Sequence, residues 1–270
     1  MKVALHDTAF QHVAYSVPGR VSRHIEWVRF TRDASLPAVI TDDMLRPHIL
    51  ERVFGSKRIG WLLEGRAYGA RNYAAIPSVI DSLDLLLTHD AYLLEQYPQK
   101  ARFVPFGGCW IPDSEWGIKP KSREVSHIYS AKRFMAGHEM RHQIAQRFPL
   151  LDHYGHGTPN PVRCKSEALA DYRFSIVVEN DRAENYFTEK LIDCLALGTV
   201  PIYWGCPNIA DFFDPHGIIQ FDNINDLDRI LPNLHCSWRL NAIMRNHNLA
   251  REYVLPEDYM YEHYLKEFDK

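Results

Sequence analysis

The segment Phe174 to Gly205, FSIVVENDRAENYFTEKLIDCLALGTVPIYWG, leaves the chain little freedom in how it folds. Phe174 to Val178 is a short apolar, β-rich run, and Glu179 to Phe187 is a loop dense in acids and amides. Thr188 to Leu197 reads as a helix, with Leu191, Ile192, Cys194 and Leu195 on its apolar face. Gly198 falls where a left-handed residue ends a helix. Val200 to Trp204 is the next strand, with Pro201 near its first residue, where a missing N–H costs least. Together these make one βαβ unit, and its loop joins the carboxyl end of a strand to the amino end of a helix. Parallel α/β sheets bind ligands there, and backbone N–H groups there face an anion. Lys190, a cation in the first helical turn, opposes the helix dipole unless an anion sits beside it, which points to a bound phosphate or diphosphate.

The rest of the chain repeats this alternation. Strands are expected at 3–5, 37–40, 58–63, 85–88 and 102–105, with helices at 45–54, 76–83 and 91–96; residues 24–30 fit helix or strand. Gly107-Gly108 and the segment Pro112 to Arg123, with Lys119, Pro120 and Lys121, read as the linker. Beyond it come strands at 126–130, 151–154, 174–178, 200–204 and 218–221. Helices are expected at 138–148, 165–171, 188–197, 209–213, 227–231 and 256–268. Alternation of this kind builds parallel sheets flanked by helices. The sequence shows no internal repeat and no low-complexity segment.

With 31 Lys and Arg against 34 Asp and Glu, and no long basic run, nucleic acid is not an expected partner. The five cysteines, Cys109, Cys164, Cys194, Cys206 and Cys236, are odd in number and scattered. They suggest buried reduced thiols, neither a disulfide framework nor a zinc knuckle. The first residues, MKVALHDTAF, hold too short an apolar run for a signal peptide, and no segment reaches the length of a transmembrane span.

The polar residues of the βαβ loop carry a family resemblance. Glu179-Asn180, then Tyr186-Phe187-Thr188-Glu189-Lys190, then Val200-Pro201-Ile202-Tyr203-Trp204-Gly205 stand in the order and spacing of the donor-binding motif of family 10 glycosyltransferases, the α-1,3/1,4-fucosyltransferases. Phe187 replaces the family's usual Val, and Val178 its usual Phe. Two further patches resemble the family. Gly137 to Phe148, GHEMRHQIAQRF, is similar to the helix whose Arg grips the donor diphosphate, here Arg141. Lys57 to Glu64, KRIGWLLE, is similar to the strand that presents a catalytic Glu, here Glu64. The resemblance covers roughly residues 125 to 225.

It implies a GT-B fold: two Rossmann-like α/β domains with parallel sheets facing across a cleft. Residues 1–115 would bind the acceptor and 116–255 the nucleotide-sugar donor, with 256–270 a helix packing back on the first domain. The implied reaction is inverting transfer of L-fucose from GDP-fucose to a glycan hydroxyl. Bacterial members lack the amino-terminal anchor of Golgi members. The chain therefore resembles a cytoplasmic bacterial protein, or a Golgi lumenal domain trimmed of its anchor.

Such chemistry needs a base for the acceptor hydroxyl and positive charge for the departing diphosphate. No Asp-x-Asp follows a strand; Asp226 and Asp228 have the spacing but suit a solvated helix cap. No metal or other cofactor is therefore expected, and Arg141, Lys190 and the start of helix 188–197 would hold the diphosphate. Glu189 is either a carboxylate favouring its helix dipole or, by resemblance, an acceptor of donor sugar or ribose hydroxyls. Tyr186 is a packed aromatic or a donor contact, Asn180 a turn residue or a donor contact. Glu179 is a buried acid paired locally, or part of the donor pocket. Glu64 is the base, or a strand-end carboxylate paired with Arg66, a pairing that would lower its pKa.

Three other readings remain open. His138-Glu139-Met140-Arg141-His142 matches the His-Glu-x-x-His pattern of zinc metallopeptidases, with His153 or His156 available as a third ligand. The chain could instead bind a nucleotide sugar without catalysis, or transfer a different sugar. Acceptor choice is assigned to amino-terminal loops such as Gly65 to Tyr73.

Overall fold

The structure, a computed structural model, describes residues 1–156, 158–235 and 239–269. The chain divides into two compact units, Met1–Gly108 with Leu255–Lys270, and Cys109–Val254.

The first unit is built on β1 (Lys2–His6), β2 (Glu26–Arg29), β3 (Ala38–Thr41), β4 (Arg58–Trp61), β5 (Leu85–Thr88) and β6 (Ala101–Phe103). Their order is β2-β1-β3-β4-β5-β6, and every neighbouring pair is parallel. The ambiguous segment 24–30 thus supplies an edge strand. Helices α1 (Pro47–Leu50), α2 (Arg66–Val79) and α3 (Ala91–Gln96) accompany the sheet. Its core gathers Ile40, Leu45, Leu62, Tyr73, Ile76, Val79 and Leu86. Parallel strands are covered on both faces, which is why Ala38–Thr41 is buried at all four positions.

The helix expected at 76–83 begins ten residues earlier, at Arg66. Gly69, with φ −101° and ψ 31°, kinks it and hides its first half from a periodicity reading. The stretch Gly65 to Tyr73 is therefore not an acceptor loop: Gly65 caps α2 and the rest is helical. The helix expected at 45–54 shrinks to α1 after a short 3-10 turn at Asp42–Met44.

The second unit holds β7 (Arg123–Ile128), β8 (Asp152–Tyr154), β9 (Tyr172–Val178), β10 (Val200–Trp204) and β11 (Ile219–Gln220), ordered β11-β10-β9-β7-β8 and again parallel throughout. In both units the chain starts inside its sheet, lays its second strand outward, then crosses to the other side of the first. That order creates a switch point between the first and third strands, where the two connecting chains diverge and leave a crevice at the strands' carboxyl ends. It lies between β1 and β3 in the first unit, and between β7 and β9 in the second.

Helices α4 (Ala136–Arg147), α5 (Glu189–Ala196), α6 (Asp226–Ile230) and α7 (Leu240–Leu249) belong to the second unit. Phe174, Ile176, Val178, Val200, Ile202 and Trp204 form its core with Ile144 and Leu227. Residues Leu191 to Ala196 of α5 are all buried; each fully buried Leu or Ile contributes about 1.5–3 kcal/mol. Helix α7 has no counterpart in the sequence reading. It docks less by an apolar stripe than by buried Asn246, whose amide accepts from Asp214 N at 2.7 Å and donates to Asp214 O at 2.9 Å. The segment 165–171 is only a 3-10 turn, Lys165–Ala168.

The division falls at Gly108/Cys109, at the glycine pair of the expected linker and not at 115/116, while 112–123 is a strap bonded to the second unit. Gly117 N donates to Ala196 O, and Lys121 Nζ donates to Ala170 O, Leu197 O and Thr199 Oγ1. Burial lowers the Lys121 pKa to about 8. The last segment is α8 (Pro256–Met260), a π turn at Tyr261–Leu265 and a 3-10 turn at Lys266–Phe268 in place of one regular helix. It is tied to the first unit by Glu257, which accepts from Ser16 N and Ser16 Oγ, both at 2.7 Å.

Cys109, Cys194 and Cys206 are buried free thiols and Cys164 is half-buried; Cys236 lies outside the described residues. Among the described residues no helix is long and apolar enough to cross a membrane.

Gly198 closes α5 with φ +69°, and a Cβ there would stand 2.8 Å from Ile118 Cγ2. Gly198→Ala should therefore lose about 1–2 kcal/mol, read as a Tm several degrees lower; an unchanged Tm would show that the turn relaxes freely.

Candidate functional site

The switch-point crevice of the second unit is built around the end of β9. Glu179, the first residue past the strand, is fully buried. Its Oε1 accepts from Thr188 N at 2.9 Å and its Oε2 from Thr188 Oγ1 at 2.6 Å. One carboxylate thus joins the end of the strand to the cap of α5. Thr188 also accepts from Lys190 N through its hydroxyl, the usual N-cap bond. Burial raises the Glu179 pKa, and Lys190 and the Thr188 bonds offset that only in part.

Arg141 reaches the same corner from α4. Its Nε and Nη2 donate to Val178 O at 2.9 and 2.7 Å, and Nη2 also donates to Asn180 Oδ1 at 2.8 Å. Among the described residues its Nη1 takes no hydrogen bond. Burial lowers the Arg141 pKa, opposed by the charges of Glu179 and Glu189. Helix α4 approaches so closely because its second residue is Gly137: a Cβ there would sit 1.7 Å from Glu179 O. Gly137 N instead donates to Asn180 O at 3.0 Å.

Lys190 Nζ lies 3.1 Å from Glu189 Oε1, 3.0 Å from Thr188 Oγ1 and 3.7 Å from Glu179 Oε2. The anion that a cation in the first turn demands is thus present within the protein, as two carboxylates. That corrects the inference that Lys190 by itself calls for a phosphate. Burial pushes the Glu189 carboxyl up, but Lys190 and Lys165 outweigh it and hold the carboxyl well below its ordinary range.

Sequence reasoning missed Lys165. Its Nζ lies 2.9 Å from Asp193 Oδ2, 3.4 Å from Glu189 Oε1 and 4.2 Å from the centre of the Trp110 ring. Asp193 also accepts from Trp110 N at 2.7 Å. Burial acts to lower the Lys165 pKa, yet Asp193 and Glu189 raise it above the usual lysine range. A signal existed: Glu189 and Asp193 stand four residues apart on one face of α5, and Asp193 falls among its apolar residues, where a buried acid needs a cation. Which cation was not readable, since Lys165 lies 24 residues upstream of Glu189.

His138, in the first turn of α4, is also buried, and its Nδ1 has no hydrogen-bond partner among the described residues. Burial, followed by the positive charges of Arg141, Lys132 and Lys190, lowers its pKa to about 4. The imidazole is neutral and the surrounding field is positive. Tyr186 is buried, and the preceding Asn185 adopts φ +63° while exchanging amide bonds with Asn208. Arg141, Glu179, Asn180, Glu189 and Lys190 therefore meet at one strand end.

The zinc pattern does not converge. Glu139 pairs with Arg133 at 3.0 Å, and His142 Nε2 contacts Lys132 O at 3.1 Å. His138 packs edge-on against Phe134. His153 is occupied at both ring nitrogens, by His127 Nδ1 and by Phe148 O, and His156 is exposed. Among the described residues no three His, Cys, Asp or Glu side chains come together as a metal set. Asp226 Oδ2 caps the amides of Asp222 and Asn223, and Asp228 pairs with Arg147.

Glu64 lies in the first unit, half-buried in the turn between β4 and α2. Its carbonyl accepts from Tyr73 Oη at 2.6 Å. Arg66, read from sequence as its neutralising partner, holds Asp90 instead, through Nε at 2.8 Å and Nη2 at 2.7 Å, and lies over the Tyr73 ring. The reason is geometric: Asp90 caps α3 beside the start of α2, and its two oxygens fit the fork of a guanidinium.

A family model described as glycosyltransferase family 10 (fucosyltransferase) C-term matches residues 118–259, more than half of the chain. The chain belongs to glycosyltransferase family 10. Among family 10 relatives, an alpha-(1,4)-fucosyltransferase of Arabidopsis thaliana is 33% identical over 96 residues, covering 31% of this chain and 24% of its own. An alpha-(1,3)-fucosyltransferase of Helicobacter pylori is 36% identical over 70 residues, covering 26% and 15%. The matched region thus spans a quarter or less of those relatives' lengths. A crystal structure of an alpha1,3-fucosyltransferase with GDP-fucose superposes with a TM-score of 0.57 at 16% identity, covering 91% of this chain and 82% of that one. The shared fold class is GT-B, with two parallel-sheet α/β units.

Lys165→Met should leave Asp193 and Glu189 as buried charges short of a partner and cost about 3–5 kcal/mol, a Tm loss of about ten degrees. Adding Asp193→Asn should recover part of that loss in a double-mutant cycle. Strict additivity of the two would show that they are not coupled.

Proposed function

We propose that this chain is an inverting fucosyltransferase that binds GDP-fucose in its second unit and passes L-fucose to a hydroxyl of a glycan. The reading rests on one observation: Arg141 and Lys190, 49 positions apart in sequence, come to the same corner, Val178 to Asn180, at a switch-point crevice. Two cations, Lys190 in the first turn of α5 and Arg141 in the second turn of α4, suit a diphosphate that gains charge as its bond to the sugar breaks. Arg141 brings a rigid fork, Lys190 a mobile charge with three donors. The neutral imidazole of His138 and the positive field around it favour the same ligand.

Glu189, held ionised by Lys190 and Lys165, is suited to accept hydrogen bonds from sugar or ribose hydroxyls. Tyr186 and Asn180 complete the donor pocket in this reading. The side-chain cations meet the diphosphate charge, so a divalent ion is not needed for departure. Glu64, from the first unit, takes the proton of the attacking hydroxyl. Fucose as the donor sugar is supported by the family and by relatives described as fucosyltransferases.

The direct test is release of GDP from GDP-fucose with and without a panel of galactosyl-N-acetylglucosamine acceptors. Acceptor-stimulated release that survives EDTA supports the reading, and no release with any acceptor removes it. GDP-fucose should also raise the Tm where UDP-sugars do not.

Lys190→Ala should weaken GDP binding at least about tenfold, or about 1.4 kcal/mol, by calorimetry, with the fold retained. Unchanged affinity would reject the clamp. Glu64→Gln should keep GDP binding and lose transfer by about 10²–10⁴-fold; full turnover would move the base to another residue.

A further inference from the structure

The first unit has its own switch point, and the residue there that the fold treats most unusually is Asp42. It follows the last residue of β3 and is 4% exposed. It adopts φ +33°, a left-handed conformation that strains any residue with a Cβ. Its Oδ1 accepts from Leu63 N at 3.1 Å. Its Oδ2 is buried and takes no hydrogen bond among the described residues. Strands β3 and β4 are paired neighbours with Thr41 opposite Trp61, so the turn leaving β3 lies against the segment leaving β4, which carries Glu64.

The backbone around Glu64 is therefore gripped from two sides. Asp42 holds the amide of the residue before it, and Tyr73 Oη holds the Glu64 carbonyl. We propose that Asp42 is a positioning residue for Glu64, fixing from a buried and strained turn the peptide that carries the base. This inference rests on Glu64 being the base, as argued above. A strained, buried acid with an unpartnered oxygen costs stability, and such costs collect where geometry serves function.

The charged and titratable groups acting on Asp42 are Asp7 beyond the end of β1, Asp43 in its own turn and Glu64 beyond β4; Tyr73 of α2 lies in the same field. Asp7 is already engaged by Arg29 at 3.0 Å and Thr41 at 3.0 Å. Burial pushes the Asp42 pKa up to about 8, against the Leu63 bond, and the neighbouring carboxylates add to the rise. Near pH 7 Asp42 is thus neutral and adds no buried anion beside Glu64. Ionisation near pH 8 would put a buried charge in the turn; the Leu63 N–H bond favours that charge, but burial and the neighbouring carboxylates outweigh it.

The stability sign follows. Between the ordinary carboxylate pKa and about 8, the folded state keeps a proton that the unfolded state has lost. The Asp42 contribution to wild-type stability therefore falls as pH rises through that window. The D42N variant cannot ionise at this position, and asparagine tolerates a left-handed φ. The Tm advantage of D42N should therefore widen up to about pH 8 and then level off.

The experiment compares wild type, D42A, D42N and E64Q. It follows GDP release from GDP-fucose, with N-acetyllactosamine and with water alone as acceptor, and amide exchange across residues 62–66. D42A should lose kcat by about tenfold or more while its KM for GDP-fucose changes by less than about twofold, as misplacement of a reacting group does. Its amides at Leu63 and Glu64 should exchange faster. D42N should regain most of the turnover and the protection. Wild-type kcat and exchange in D42A would overturn the inference. An inactive E64Q beside an unaffected D42A sinks this inference alone, whereas an active E64Q sinks the assignment of the base.

Discussion

The second unit depends on the carboxylate of Glu179. A parallel strand that ends inside a protein leaves its next residue among other buried groups, and a charge there must be met. Glu179 meets the backbone N–H and hydroxyl of Thr188, which orients the first turn of α5, and Lys190 stands 3.7 Å away. Arg141 holds the carbonyl just before it, and Gly137 lets α4 close on the carbonyl of Glu179 itself. One corner thus fixes a strand end and the starts of two helices. The same contacts bring Arg141 and Lys190 to one corner, so the fold and the placing of these two cations have one physical origin.

The polar shell behind that corner is as ordered as the corner. Lys165 joins Glu189 to Asp193, and Asp193 reaches back to the amide of Trp110. A carboxylate tied from behind keeps a fixed direction. Buried ion pairs of this kind add little net stability relative to apolar packing, but breaking them is costly. Their value here is geometric.

The two units share a strand order up to their fifth strand but fill their switch points with different side chains. In the second, Arg141 and Lys190 gather at the end of β9. In the first, Asp7 and Asp42 stand at the ends of β1 and β3, with Glu64 beyond β4. The same topology can thus carry different groups at the same place, because the fold fixes only where the crevice lies and side chains decide its chemistry.

The sequence by itself determined the alternation of strand and helix, the βαβ unit from Phe174 to Gly205, the left-handed glycine at 198 and the family. Each of these is written in local patterns: apolar runs, turn residues, and polar residues at fixed spacing along a loop. Tertiary structure decided the rest. It joined Lys165 to Asp193, gave Arg66 to Asp90, docked α7 through Asn246, extended α2 back through a kink at Gly69, and buried Asp42 in a left-handed turn beside the segment bearing Glu64. These are pairings between residues far apart in the chain, or conformations imposed by such pairings. Local preference carries no information about which distant partner a charge or amide will meet once the sheet has formed.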